Sequence, residues 1–177
     1  VDNYIARMAT INQRPDDGAN SLDVLSHHLD RAALTDDQTL ASATITEANV
    51  IVAVADGPIN PSEGNFSVGI KKDWSFLQHG PQLQKTTYGR SFARSYLNIS
   101  YFLAGNTVNL SSSANGSMSS FFRNGYMNGF IGSNKDWSVS GRQISVEPFS
   151  EVDIINGYIA EEPKSTGGDR LKSSYAE

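Results

Sequence analysis

Two identical tetrapeptides are the first candidates for chemistry. Lys72-Asp73-Trp74-Ser75 and Lys135-Asp136-Trp137-Ser138 lie 63 positions apart. An indole beside a carboxylate suits a sugar: the ring stacks on the apolar face of a pyranose, and the polar neighbours take its hydroxyls. Tyr126 and Tyr158 also stand near Asn and Asp residues. The candidate ligand-binding set is therefore Trp74, Trp137, Asp73, Asp136, Tyr126 and Tyr158. A duplicated unit with two equivalent Lys-Asp-Trp sites would account for the repeat. Matches at the same offset, such as Arg31 with Arg94 and Leu34 with Leu97, are scattered. The competing reading is a chance repeat whose tryptophans cover the core from strand ends.

Other constellations are thinner. His27-His28-Leu29-Asp30 is the one His/carboxylate cluster. On a helix, His27 and Asp30 share a face and could relay a proton or bind a metal, whereas the adjacent histidines point about 100° apart. His79, the third histidine, falls in a distant turn, His79-Gly80-Pro81. Glu151 and Asp153 alternate along an expected strand near Tyr158, and such a pair could serve glycoside chemistry. No Gly-x-Ser-x-Gly elbow and no phosphate-binding Gly-Lys-Ser/Thr loop is present. There is no cysteine, so thiolate catalysis and cysteine-held metal are ruled out. The expectation is no catalytic set, no metal site and no cofactor.

Charge narrows the partners. The net charge is −5, and Lys71-Lys72 is an isolated basic pair followed by Asp73. A nucleic-acid binder gains affinity by neutralising phosphates, so no nucleic acid is expected. The longest apolar run, Val50–Ala55, is far short of the roughly 20 residues that span a bilayer. No membrane insertion is expected. Charged residues make up 19% of the chain, against about 25% in an average domain. The difference is made up by 23 Ser and 14 Asn, which are easier to desolvate against another surface.

These residues need elements to position them. Leu22, Leu25, Leu29, Ala32 and Ala33 fall on one helical face over 21–34, with Asn20 or Ser21 as the cap. Thr35-Asp36-Asp37-Gln38 has the form of a capping box, so a second short helix starts there. It is expected to yield near Ala43, because Ile45, Val50, Ile51, Val52 and Val54 are β-branched. Short strands are expected at Phe66–Ile70 and Trp74–Leu77. Leu97, Ile99, Tyr101 and Leu103 alternate with polar residues, then Gly105-Asn106, then Val108 and Leu110: the pattern of a hairpin. Asn-Gly pairs at 115, 124, 128 and 156 suit type I′ turns. Gln143–Val146 and Val152–Ile159 complete the expected strands.

The predicted fold class is mainly β, or α+β: an antiparallel β-sandwich or barrel of hairpins with one or two N-terminal helices. Residues 1–160 form one globular domain, helical over 1–48 and antiparallel β over 49–160, and 161–177 form a polar flexible tail. The function that follows is a non-enzymatic structural or assembly subunit of a virion, tail or extracellular appendage type. Its partners are other protein subunits, as a homo-oligomer, in a virion or extracellular setting. A carbohydrate- or small-ligand-binding β module with a glycan partner is the alternative. A hydrolase or isomerase with a His/carboxylate site is the third reading.

Overall fold

The computed structural model describes residues 18–54, 68–106, 108–131 and 134–141. Four helices dominate: α1 (Ala19–Thr35), α2 (Gln38–Val52), α3 (Tyr88–Leu103) and α4 (Ser112–Phe121). Two antiparallel pairs of two-residue strands accompany them. Gly69–Ile70 (β1) pairs with Phe76–Leu77 (β2), and Phe130–Ile131 (β3) pairs with Asn134–Lys135 (β4). The fold is helical, and the expected β-sandwich or barrel is wrong.

The first helix buries Leu22, Leu25, Leu29 and Ala32, while Ala33 is exposed. It ends where Asp36 turns left-handed (φ 51°, ψ 37°) and the Asp37 amide donates to Ala32 O at 2.9 Å. Asp37 then caps α2, its Oδ1 accepting from the Leu40 amide at 2.9 Å. Thr35, the expected cap, instead donates its hydroxyl to Arg31 O. The second helix does not yield at Ala43. It runs on to Val52, because Thr44, Ile45, Ala48 and Val52 make one buried stripe at helical spacing. Burial of that stripe outweighs a β-branched cost of a few tenths of a kcal/mol per residue.

The largest correction concerns Ser95–Ser112. It is no hairpin: Tyr88–Leu103 is one helix, burying Phe92, Ala93, Tyr96, Ile99 and Leu103. A strand would place Tyr101 on the same face as Ile99 and Leu103. Tyr101 is instead 75% exposed. Gly105 has φ +82°, and the Asn106 amide returns to Leu103 O, so Gly105-Asn106 stops a helix instead of turning a hairpin.

The Asn-Gly pairs are likewise absorbed by helical backbone. Asn115-Gly116 lies inside α4, Asn124-Gly125 in a π-helical turn (Phe122–Tyr126), and Asn128-Gly129 in a 3₁₀ turn (Met127–Gly129). The fourth pair, Asn156-Gly157, lies outside the described residues. So do the strands expected at 143–146 and 152–159, the start of the one expected at Phe66, the Glu151/Asp153 pair, Tyr158 and the segment 161–177.

Both α1 and α3 start at the same end. Gly18 abuts Phe76 and Gln78, and Gly89 abuts Phe76 and the Gln84 carbonyl. The two helices therefore run parallel, with α2 returning beside α1 and α4 coming back toward Phe76. The Ser111 amide, at the start of α4, donates to Asn49 Oδ1 of α2 at 2.9 Å. An aromatic cluster fills the shared end. Phe76 meets Phe92 at 5.0 Å and Phe121 at 5.8 Å between ring centroids, and Phe122 stacks on Tyr126 at 5.4 Å. The π-helical turn puts Phe121, Phe122 and Tyr126 into this one cluster.

Helix and hairpin make opposite demands on Gly116. A Cβ on Gly116 meets open space, so in a helix Gly116→Ala should raise stability by roughly 0.5–1 kcal/mol. At a type I′ hairpin tip it would lower it. A Cβ on Gly125 would come within 2.1 Å of the Trp74 carbonyl. Gly125→Ala should cost about 1–3 kcal/mol. Urea unfolding of the two variants checks both signs.

Candidate functional site

The segment from β1 to the start of α3 concentrates unusual backbone. Among the described residues three non-glycine residues have positive φ, and two of them, Trp74 (62°) and His79 (58°), lie here. Side chains rarely occupy that region without surrounding structure to hold them there, and such residues gather at functional sites.

The turn after β1 closes with Trp74 N–H on Lys71 O and Lys71 N–H on Ser75 O, each at 2.9 Å. Asp73 Oδ1 accepts from the Ser75 amide at 3.0 Å. Gln78 then leaves β2 with its side chain buried. Its Oε1 accepts from the Ala19 amide at 3.2 Å, capping α1 from another part of the chain. Leu77 and Leu83 form a β-bridge, so His79-Gly80-Pro81-Gln82 is a tight exposed tip. Gln84, also fully buried, closes the other side. Its amide N–H donates to Phe76 O, its carbonyl accepts from the Gly89 amide, and its side chain joins Gln82 and Thr87.

On this scaffold the exposed His79 ring meets the half-buried Tyr88 ring edge to face, centroids 4.7 Å apart at 82°. Tyr88 is the first residue of α3. Histidine is the side chain that changes charge near neutrality, and a phenol both donates and accepts. An imidazole beside a phenol, at the mouth of a rigid loop, is equipped for proton transfer to and from a bound molecule. Asn20, exposed in the first turn of α1, stands at the same end through the Ala19–Gln78 bond. Residues 69–90 carry Lys71, Lys72, Lys85 and Arg90 against Asp73 alone, a local positive balance in a chain of charge −5.

The expected ligand set is split by the structure. Tyr126 is wholly buried in the aromatic cluster. Trp74 is half-buried and packs on the core, with Gly125 under its carbonyl. Trp137 is 69% exposed. The two copies of the tetrapeptide share one local bond. Asp136 Oδ1 accepts from the Ser138 amide at 2.8 Å, the bond that Asp73 makes with Ser75. Asp-x-Ser is an Asx turn in both places. The backbones otherwise differ, since Trp74 has φ +62° and Trp137 opens a 3₁₀ turn. Two equivalent Lys-Asp-Trp sites are absent. The helices do not follow the offset either: α1 starts at 19 and α3 at 88, 69 positions apart instead of 63.

His27 and Asp30 do share a place. With Asp23, Arg94, Asn98 and Phe102 they line a groove of about 360 Å³ between α1 and α3. Among the described residues no group of three His or carboxylate side chains could hold a metal ion. His79 and Tyr88 were missed by the sequence reading because each stands alone in a stretch that otherwise signals a turn. The available signal was the trio Gln78, Gln82 and Gln84: uncharged amides around Gly80-Pro81, of the kind a structured loop uses to satisfy buried backbone.

The Ser75 hydrogen bonds hold the Asp73 carboxyl below its ordinary value, chiefly through the side chain and then the backbone. The Ser138 amide does the same for Asp136. Burial pushes the Lys71 ammonium down, with Asp73 opposing. A carboxyl lowered on folding stabilises fully above its unfolded value, and that contribution is lost as pH falls through the folded one. Acid unfolding of Asp73→Asn should therefore be less steep below about pH 4 than that of the unaltered protein. An unchanged acid limb by circular dichroism would show that the Asp73 charge adds no stability.

The chain matches the family described as polysaccharide lyase family 8, N-terminal alpha-helical domain, over residues 1–161. It is 32% identical over 139 residues to the chondroitinase-AC of Pedobacter heparinus, covering 78% of this chain and 18% of that protein. It also superposes on a solved chondroitinase AC lyase, one studied as enzyme–oligosaccharide complexes, with a TM-score of 0.78 at 27% identity. That match covers 95% of this chain and 24% of the solved one. These matches overturn the expected non-enzymatic subunit of a virion, tail or appendage. The helical fold overturns the β-module alternative. Among the described residues no helix is long and apolar enough to cross a membrane.

Proposed function

The chain belongs to polysaccharide lyase family 8, in its N-terminal α-helical domain, and on that premise we propose that it carries proton-transfer residues of a lyase acting on chondroitin-like glycosaminoglycan. The chain spans 18% of the length of the curated relative, so the activity is assigned to the site's chemistry and not by length. The observation that carries the reading is the His79–Tyr88 pair.

A lyase cleaves the link between two sugars by elimination. A base removes the proton from the carbon bearing the uronate carboxyl group. The electron pair of that C–H bond becomes a C=C bond, and the C–O bond one carbon further on breaks. The leaving oxygen then takes a proton. Such a reaction asks for a proton acceptor and a donor within reach of one another, and for positive or amide groups at the carboxylate. His79 and Tyr88 supply the first pair. Asn20 and the basic residues of 69–90 supply the second. The rigid clasp of Gln78 and Gln84 keeps the imidazole and phenol in register while substrate enters, which matters because misplacement by about 1 Å costs as much as 10²-fold in rate. A polymer of this kind is met outside the cell, and an extracellular setting fits the reading.

Tyr88→Phe keeps the ring contact and removes only the hydroxyl. His79→Ala removes the imidazole. Each should lower the release of unsaturated uronate from chondroitin by about 10²–10⁴-fold while the protein stays folded. The conjugated product is read by its ultraviolet absorbance. Turnover surviving both changes, or none in the unaltered protein, would reject the reading.

A further inference from the structure

Trp137 is the exposed aromatic that the proposed elimination does not use, and its setting is built. Its turn is held at several points. Asp136 caps it through the Ser138 amide, and the Asp136 amide donates to Gly129 O at 2.7 Å. Ser140 Oγ donates to Asp136 O at 2.9 Å. The turn is then fastened to the loop that leads into Tyr88. The Thr86 amide donates to Val139 O, and the Thr86 and Ser140 hydroxyls are 2.9 Å apart, both buried. Gly141 sits so close to the Gln84 amide that a Cβ there would lie 2.3 Å from Oε1. At most roughly 7 Å of chain separates Thr86 from Tyr88.

Burying Val139 and Ser140 explains the anchoring, but it does not explain an indole left 69% exposed on the anchored turn. The other tryptophan, Trp74, packs on the core. The strongly exposed Tyr101 lies at the opposite end of α3 from His79 and Tyr88. An aromatic already fixed in place loses little freedom when a ligand covers it. Sugars offer apolar C–H faces of matching size, and the surrounding residues, exposed Asn134 and Ser138 and half-buried Lys135, offer partners for hydroxyl and acidic groups.

Resting on the elimination reading above, we propose that Trp137 is a stacking platform for a sugar ring of the bound polysaccharide, one flanking the ring at His79 and Tyr88. It positions the polymer and takes no part in the proton transfer. Its removal should weaken binding and leave the chemical step alone.

The test uses unsulfated chondroitin tetrasaccharide as the probe. Titration into the unaltered protein should shift the tryptophan fluorescence, and calorimetry should give its affinity. Trp137→Ala should bind at least tenfold more weakly, with Trp137→Phe recovering most of the loss. Thermal unfolding should be unchanged in both, because the ring is exposed. In turnover, Trp137→Ala should raise KM with kcat held. Equal affinity in Trp137→Ala and the unaltered protein, or no binding by the unaltered protein, overturns the platform. Trp137-dependent binding together with turnover that ignores His79 and Tyr88 would instead sink the elimination reading and leave the platform standing.

Discussion

Two buried glutamines hold the site end of the molecule together. Gln78 and Gln84 have no exposed surface, yet each carries an amide that must be satisfied. Gln78 satisfies its carbonyl oxygen by capping α1, and Gln84 by accepting from the Thr87 hydroxyl while its backbone joins Phe76 and Gly89. Apolar replacements would fill the space but would take the side-chain acceptor away from the Ala19 amide and from the Thr87 hydroxyl, and a buried group left unpaired costs about 1–3 kcal/mol. The loop between β2 and α3 is thus tied to the starts of two helices, and His79 rides on it. Beneath it, the Phe76, Phe92 and Phe121 rings give the tie a surface that does not yield.

Part of this was legible in the residues. The face of α1 is written in Leu22, Leu25, Leu29 and Ala32, where period and burial coincide. The start of a helix near Asp37 was legible too, although the capping group is Asp37 and not Thr35. The failures share a cause. Between Leu97 and Leu103 the apolar residues alternate strictly, which over so short a window favours a period of two over 3.6. Phe92, Ala93 and Tyr96 share a helical face with Ile99 and Leu103, and they overturn that preference only when the window is extended backward. An isolated Asn-Gly pair favours a turn because both residues tolerate positive φ. Inside α4 tertiary packing outweighs that preference, whose worth is about 1 kcal/mol per glycine.

The site was less legible than the fold, for a different physical reason. The repeated Lys-Asp-Trp-Ser shares one local bond, an Asp carboxylate accepting from the amide two residues on, inside two turns that otherwise differ. His27 and Asp30 attracted attention because they are neighbours in sequence, and they do line one groove, but the histidine that meets a second functional ring is His79. Its partner, Tyr88, is nine positions away, across a tip whose geometry depends on Gln78, Gln84 and the start of α1. No spacing rule within the segment reports a contact set by a third element.

The π-helical turn after α4 also sets a phase. In it each amide reaches back five residues instead of four, so it holds one more residue than the α-helix would. Removing that residue would restore the regular α-helical ladder with the following residues in their present phase, whereas winding the same residues as a regular α-helix would rotate everything after Phe121 by about 100° relative to the core. Tyr126 would swing out of the aromatic stack. Gly125 would leave the Trp74 carbonyl, and the strand pair that follows would face elsewhere. A chain that keeps these residues must therefore keep the wide turn as well, because the placement of everything downstream depends on it.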